Sequence, residues 1–236
     1  MTASTWALLS AAVLLAAFVQ GSTGFGFALI VAPMLGLCAP PLLPVCLLLL
    51  MLPLNLLVAW REREALDLRS SGWITVGRVI GTAAGLGLIL LLSMRQLSAL
   101  TGAATIIAAV LTGLLPAFRP ARTALVGAGV VTGITETTTG IGGPPLALVY
   151  QHQPAAVVRA TLAACFLAGE LLSLAMLWVT GRTQWLHAVA AAQLLPALLI
   201  GAVASKRTHV HLHPRALRLF VVAFSITSGS VLLLRA

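Results

Sequence analysis

The sequence predicts an all-α polytopic membrane protein built from two inverted repeats. Each repeat is a glycine-broken helix pair followed by three spanning helices, about eight transmembrane segments by the usual counting. Three observations predict this fold. Of the 236 residues, 60% are hydrophobic and only 8% are charged, against roughly 45–50% apolar and about 25% charged in soluble domains. The apolar residues fall into ten runs, and four of these look too short to cross a bilayer alone. Two glycine-rich breaks stand at corresponding places in the two halves. Such a composition excludes a cytosolic enzyme, a secreted disulfide scaffold and a disordered chain. Continuous Leu/Ala runs, rather than alternation, exclude a β-barrel.

The runs, in order, are 5–19, 27–38, 42–60, 72–92, 97–115, 122–135, 144–151, 157–179, 185–204 and 215–235. The short ones are the first, second, sixth and seventh. They form two pairs, each joined by a break. The first break is Gln20-Gly21-Ser22-Thr23-Gly24-Phe25-Gly26, and the second is Glu136-Thr137-Thr138-Thr139-Gly140-Ile141-Gly142-Gly143-Pro144-Pro145. The N-terminus lacks the basic segment of a cleavable signal, so 6–19 is expected to stay in the mature protein. A shift of 116 places Gln20, Gly24 and Gly26 on Glu136, Gly140 and Gly142. A shift of 120 places Gly77, Gly81 and Gly85 on Ala197, Gly201 and Ser205. Both triplets have the small-xxx-small spacing that lets helix backbones approach closely. The chain therefore divides into repeats at 1–118 and 119–236.

Charge sets the orientation. The net charge is +9, from 14 Lys and Arg against 5 Asp and Glu. The basic residues lie mostly between apolar runs, so they mark topology rather than nucleic-acid binding. With an odd number of crossings per half, one side carries Arg61, Arg63, Arg69, Arg119, Arg122, Arg159, Lys206, Arg207, Arg215 and Arg218. The other side carries Arg95, Arg182 and Arg235. Treating each broken pair as one interrupted span removes this asymmetry. Inverted repeats with both termini outside the cytoplasm follow. Arg78 lies inside a run and is expected to snorkel to the cytoplasmic interface rather than to serve as a substrate clamp, the alternative reading.

Function is expected at the breaks. Irregular backbone at membrane depth must be buried in protein or line a wet cavity. Helix N-termini at Phe27 and Pro144 would converge near the midplane, and each carries free N–H groups and partial positive charge. Together they make an anion site. Gly21, Gly24, Gly26, Gly140, Gly142 and Gly143 would bring backbone donors close, and Ser22, Thr23, Thr137, Thr138 and Thr139 would add hydroxyls. Packing alone is the competing reading of these glycines. Glu170 and Asn55 sit near the middles of their runs, at nearly equivalent repeat positions. An ionisable group at that depth is a candidate for function, with an interhelical hydrogen bond as the alternative for both. Burial disfavours the charged form of a carboxyl, which suits Glu170 and Glu136 to carrying a proton. Glu136 could equally cap its half-helix.

Other polar features carry less. Cys38, Cys46 and Cys165 are scattered without a CxxC and read as lipid-facing or packing residues. His209, His211 and His213 alternate, but no carboxylate or cysteine lies near them, so no metal site is expected. Gly21-Ser22-Thr23-Gly24 lacks the G-x-S-x-G order of a serine nucleophile. The chain is therefore expected to be no enzyme and to need no cofactor. Its partners are a small anion, protons and the lipid bilayer, and the sequence leaves the oligomeric state open.

The stretch from Gly21 to Pro33 and the stretch from Gly133 to Leu146 resemble the duplicated signature of the TauE/SafE family, also called the TSUP transporters. Asn55 after the third run, and Arg159-Ala160-Thr161 followed by Phe166, are similar to that family as well. Many members carry four glycines in the first break, where this chain has Gly-Phe-Gly-Phe. The resemblance implies a bacterial inner-membrane permease that exports small sulfur-containing or organic anions, such as sulfite or sulfonates, using the proton gradient. A passive anion channel and a non-transporting membrane scaffold are the alternatives.

Overall fold

The computed structural model describes residues 2–114, 120–150, 153–208 and 214–235. His209, His211 and His213 lie outside them. Among the described residues the structure is helical throughout: α1 (Ala3–Thr23), α2 (Phe27–Cys38), α3 (Val45–Arg61), α4 (Leu68–Leu91), α5 (Met94–Leu114), α6 (Arg122–Thr139), α7 (Gly143–Tyr150), α8 (Ala155–Val179), α9 (Trp185–Thr208) and α10 (Pro214–Arg235). Short 3-10 turns at Pro40–Leu42 and Arg63–Ala65 link α2 to α3 and α3 to α4.

The apolar runs and the helices agree in number and order, but the breaks are narrower than hydropathy suggests. α1 continues through Gln20, Gly21, Ser22 and Thr23, and α6 continues through Glu136, Thr137, Thr138 and Thr139. With 21 residues, α1 is long enough to cross a membrane. Polar residues can stay helical here because their hydroxyls return to the preceding turn. Ser22 Oγ donates to Phe18 O at 2.8 Å, Thr138 Oγ1 to Ile134 O at 2.8 Å and Thr139 Oγ1 to Thr135 O at 2.7 Å. Such i−4 bonds need no water and leave the helix ladder intact. The irregular backbone is confined to Gly24–Gly26 and Gly140–Gly142. The expected short first and sixth elements are thus a full helix and an 18-residue helix. Only α2 and α7 are short, at 12 and 8 residues.

Each break opens with a left-handed glycine. Gly24 has φ 91° and its N–H caps Gln20 O at 2.7 Å; Gly140 has φ 78° and its N–H caps Glu136 O at 2.8 Å. A side chain would be strained at both positions.

Packing follows the small residues. α4 lies on α6, with Gly77 and Gly81 against the backbone of Val126 and Val130, and Gly129 and Gly133 facing back onto Ile74 and Arg78. α1 lies on α9 in the same manner, with Gly201 against Leu14 and Gly21 against Ser205. α3 packs on α8, and α5 on α10 through Gly102 and Gly229.

The surface inverts the pattern of a water-soluble protein. Leu56, Val79, Ile80, Ile107, Ile200 and Val203 are exposed, whereas Gln20, Asn55, Arg78, Glu136, Thr137, Glu170 and Ser173 are buried. Trp60, Trp178 and Trp185 are exposed close to helix ends, where amphipathic rings settle at a membrane interface.

Candidate functional site

Buried polar residues from α1, α3, α4, α6 and α8 gather in two sets beside the breaks. The first is a chain. The Phe27 N–H, first in α2, donates to Gln20 Oε1 at 3.0 Å; Gln20 Nε2 donates to Asn55 Oδ1 at 2.7 Å; Asn55 Nδ2 donates to Glu170 Oε1 at 2.6 Å. Its direction is forced. A backbone N–H can only donate, so Gln20 presents its oxygen to Phe27 and its amide nitrogen to Asn55, and Asn55 must then donate to Glu170. Glu170 Oε1 is therefore an acceptor, and Oε2 has no partner. Both ends of the Asn55 amide are engaged by protein, in the interhelical bond weighed from the sequence.

The second set is an ion pair. Arg78 Nη2 on α4 donates to Glu136 Oε1 on α6. Both side chains are almost wholly buried, at 1% and 0% exposure. This corrects the expectation that Arg78 snorkels to the interface. Its physical reason is periodicity: Arg78 shares one helical stripe with Ile74, Gly77, Gly81, Thr82 and Gly85, and that stripe faces α6. The guanidinium lies against Gly169, where any side chain would collide with it, and its carbon is 6.0 Å from the Phe166 ring centre. Arg78 Nε and Nη1, Glu136 Oε2 and Thr82 Oγ1 have no protein partner. Glu136 Oε2 occupies the space a Gly142 side chain would need.

The breaks meet. Gly143, at the start of α7, lies under Phe25 of the first break, and a Cβ there would sit 3.3 Å from Phe25 Cβ. α2 begins at Phe27 as expected, and α7 at Gly143, one residue before the expected Pro144. The next glycine after each capping glycine differs in use. Gly26 has φ 115°, whereas Gly142 has no positive φ and instead makes room for the Glu136 carboxylate. Of the candidate hydroxyls, Thr23 Oγ1 donates to Val19 O at 3.0 Å or Phe25 O at 2.6 Å, and Thr137 Oγ1 pairs with Ser173 Oγ at 2.8 Å.

Charge also brackets the break region from one end. Arg61 Nη2 donates to Gly21 O at 2.7 Å, Arg159 packs over Gly24, and Arg159 Nε donates to Glu62 Oε1 at 3.0 Å. Burial pushes the Glu62 carboxyl up, but its hydrogen bond to Arg159 and the charges of Arg159 and Arg61 outweigh that and hold it below the usual carboxylate range. Asp67 caps α4 through Ser70 N at 3.1 Å, and hydrogen bonds from Ser70 and Arg69 outweigh its own burial to hold it low as well. A cavity of about 540 Å³ opens here, bordered by Asp67, Ser70, Tyr150 and Gln153. The buried Tyr150 ring borders it, with Asp67 and Ser70 beside its hydroxyl.

Residues 9–232 match the family described as sulfite exporter TauE/SafE. The chain belongs to that family. No curated protein and no solved structure matches it. Membership and the apolar helices together make it a multi-pass membrane protein and a transporter by family. The sequence reading left out Thr82 and Tyr150 and placed Arg78 at the interface instead. No short motif marks the Arg78 site, because its partner Glu136 lies 58 residues on.

Proposed function

We propose that this TauE/SafE protein is a secondary transporter that exports small sulfur-containing or organic anions, such as sulfite or sulfonates, across a bacterial inner membrane. Transport is proton-coupled. The observation that carries the reading is the burial of Arg78, Glu136 and Glu170 beside two touching breaks, each with an atom lacking a protein partner. Ionisable groups in a bilayer are costly and mark ion pathways by default.

The architecture in this reading is a pair of inverted repeats, 1–118 and 119–236. Helix pairing supports it. Advancing each helix by five turns α1 on α9 into α6 on α4, α3 on α9 into α8 on α4, and α2 on α10 into α7 on α5. α3 on α8 and α5 on α10 map onto themselves, as pairs beside a twofold axis must. Five elements per half, an odd number, direct the halves oppositely and leave both termini outside the cytoplasm. The short α2 and α7 are not counted as full spans in the usual total of about eight segments, but each still reverses the chain.

In transport, the N-terminal turns of α2 and α7 face the anion, framed by Gly21, Ser22, Thr23, Gly24, Gly26, Asn55, Thr137, Thr138, Thr139, Gly140, Gly142 and Gly143. Glu170 carries the proton. Since its Oε1 accepts from Asn55, the proton binds Oε2. Glu136, whose Oε1 is held by Arg78, is the other carboxyl able to do so. The test is counterflow of labelled sulfite in proteoliposomes, competed by sulfonates, thiosulfate and carboxylates. Exchange, with accumulation only under a pH gradient, is expected. Exchange that no pH gradient converts into accumulation would make the protein a passive channel.

A further inference from the structure

Arg78 presents two bare nitrogens, and Thr82 Oγ1, Glu136 Oε2 and Glu170 Oε2 also lack protein partners. Of its three guanidinium nitrogens only Nη2 has a protein partner, and the residue is 1% exposed. Burying donors without acceptors is costly, and a planar guanidinium matches the several oxygens of a sulfite or sulfonate better than any other side chain. Around it the chain has removed its own side chains. Gly169 leaves bare backbone against the guanidinium, and Gly142 leaves it against Glu136 Oε2. The one protein acceptor, Glu136 Oε1, is a carboxylate, the group whose chemistry most resembles the anion to be carried.

We propose that Arg78 is the cation that receives the transported anion, and that Glu136 is the counter-ion it gives up when Glu136 takes a proton. This rests on the transport reading above and assigns its anion-binding group. A proton from water forms an O–H bond at Glu136 Oε2, the carboxyl becomes neutral, and its hold on Arg78 weakens. The anion then takes the vacated Nη2 together with a free nitrogen. No covalent bond to the anion forms. One proton and one monovalent anion enter together, so the charge of the site is unchanged, which keeps the low-dielectric interior from opposing the step. The ionisable groups around Glu136 are Arg78 on α4 and Glu170 and Cys165 on α8. Asn55 on α3 is neutral, α5 buries only Thr101 and Thr105 among its described polar residues, and Tyr150 of α7 interacts with Ser70, Asp67 and Cys165. Glu170 is bound to Asn55 rather than to Arg78, so it does not hold the guanidinium.

Methanesulfonate binding to the protein in lipid nanodiscs tests this, because a sulfonate stays ionised throughout and any pH dependence belongs to the protein. The parent should bind about tenfold more tightly for each unit that pH falls, as one proton is taken up with each anion. Glu136→Gln should bind with no such slope, its guanidinium being permanently released. Arg78→Leu combined with Glu136→Gln removes both charges and should stay folded, yet bind about a hundredfold more weakly than Glu136→Gln alone. A slope that survives in Glu136→Gln overturns the proposal, as does equal binding by the double variant. If the parent exchanges labelled sulfite and the double variant exchanges it equally well, the transport reading stands and only the role of Arg78 falls. If the parent neither exchanges nor binds, both fall.

Discussion

Four residues before the capping glycine of the first break stands Gln20; at the same place before the second stands Glu136. Both backbone carbonyls receive the glycine N–H, so the local architecture is shared. The side chains do different work. Gln20 is neutral, and its amide passes a hydrogen bond from Phe27 to Asn55. Glu136 is ionisable and pairs with Arg78. The position aligned with Arg78 on the helix against α1 is Leu198, which is fully buried. One crossing is thus neutral and the other charged, on a common frame. Side-chain volume is traded as well: Gly21 faces Ser205 on one side, and Thr137 faces Gly85 on the other. At this pair of positions each crossing keeps one glycine, because backbones this close have space for a single side chain. The comparison teaches that the two crossings share what sets the backbone and differ in the side chains set beside it.

The strongest way to break the comparison is to remove one charge of the second crossing. Arg78→Leu alone strands a buried Glu136 and should cost about 3–5 kcal/mol, read as a large fall in melting temperature and in yield of folded protein. Adding Glu136→Gln copies the chemistry of the first crossing. That double variant should regain stability to within about 1 kcal/mol of the parent while losing sulfite exchange. A double variant that stays unfolded would mean that the charged crossing is needed for the fold itself.

A second test separates the aligned glycines. Gly142→Ala should displace the Glu136 carboxylate and cut exchange at least about tenfold, with the protein still folded. Gly26→Ala should instead cost about 1–2 kcal/mol of stability, from its left-handed backbone. If Gly142→Ala transports normally, the space beside Glu136 is not used.

Glu170→Gln sharpens the distinction between the two carboxyls. Its amide oxygen can still accept from Asn55, so the relay to Phe27 survives. Exchange should persist, while accumulation driven by a pH gradient falls, because only the proton on Glu136 still accompanies the anion. Accumulation equal to the parent's would leave Glu136 as the sole proton carrier.

The smallest effect lies at the helix ends. Glu62 has its pKa held low in the folded protein, so it contributes stability above its unfolded pKa and loses it as pH falls through the folded value. Glu62→Gln should therefore be about 1 kcal/mol less stable than the parent at neutral pH. The difference should vanish in acid, below the usual carboxylate range. A constant difference at all pH values would point to packing instead of charge.

Much of the fold was legible along the chain because the bilayer demands it: continuous apolar runs are helices, and left-handed capping glycines are the places where helices stop. Gly24 and Gly140 could be located from sequence for that reason. The extent of the breaks could not, since Ser22, Thr23, Thr138 and Thr139 look like loop residues until their hydroxyls are seen to return to their own helix. Arg78 was misread although its stripe with Gly77, Gly81, Thr82 and Gly85 was present. A periodic stripe says which residues share a face, but not what that face meets. Only the packing of α4 on α6 brings Arg78 to Glu136, and only the packing of α3 between α1 and α8 joins Gln20, Asn55 and Glu170. Sequence alone determined the helices and the places where they break, because those depend on neighbours within a turn or two. The charged site was decided by tertiary structure, because a buried ion pair forms between residues that share no local signal and meet only when helix backbones close on one another.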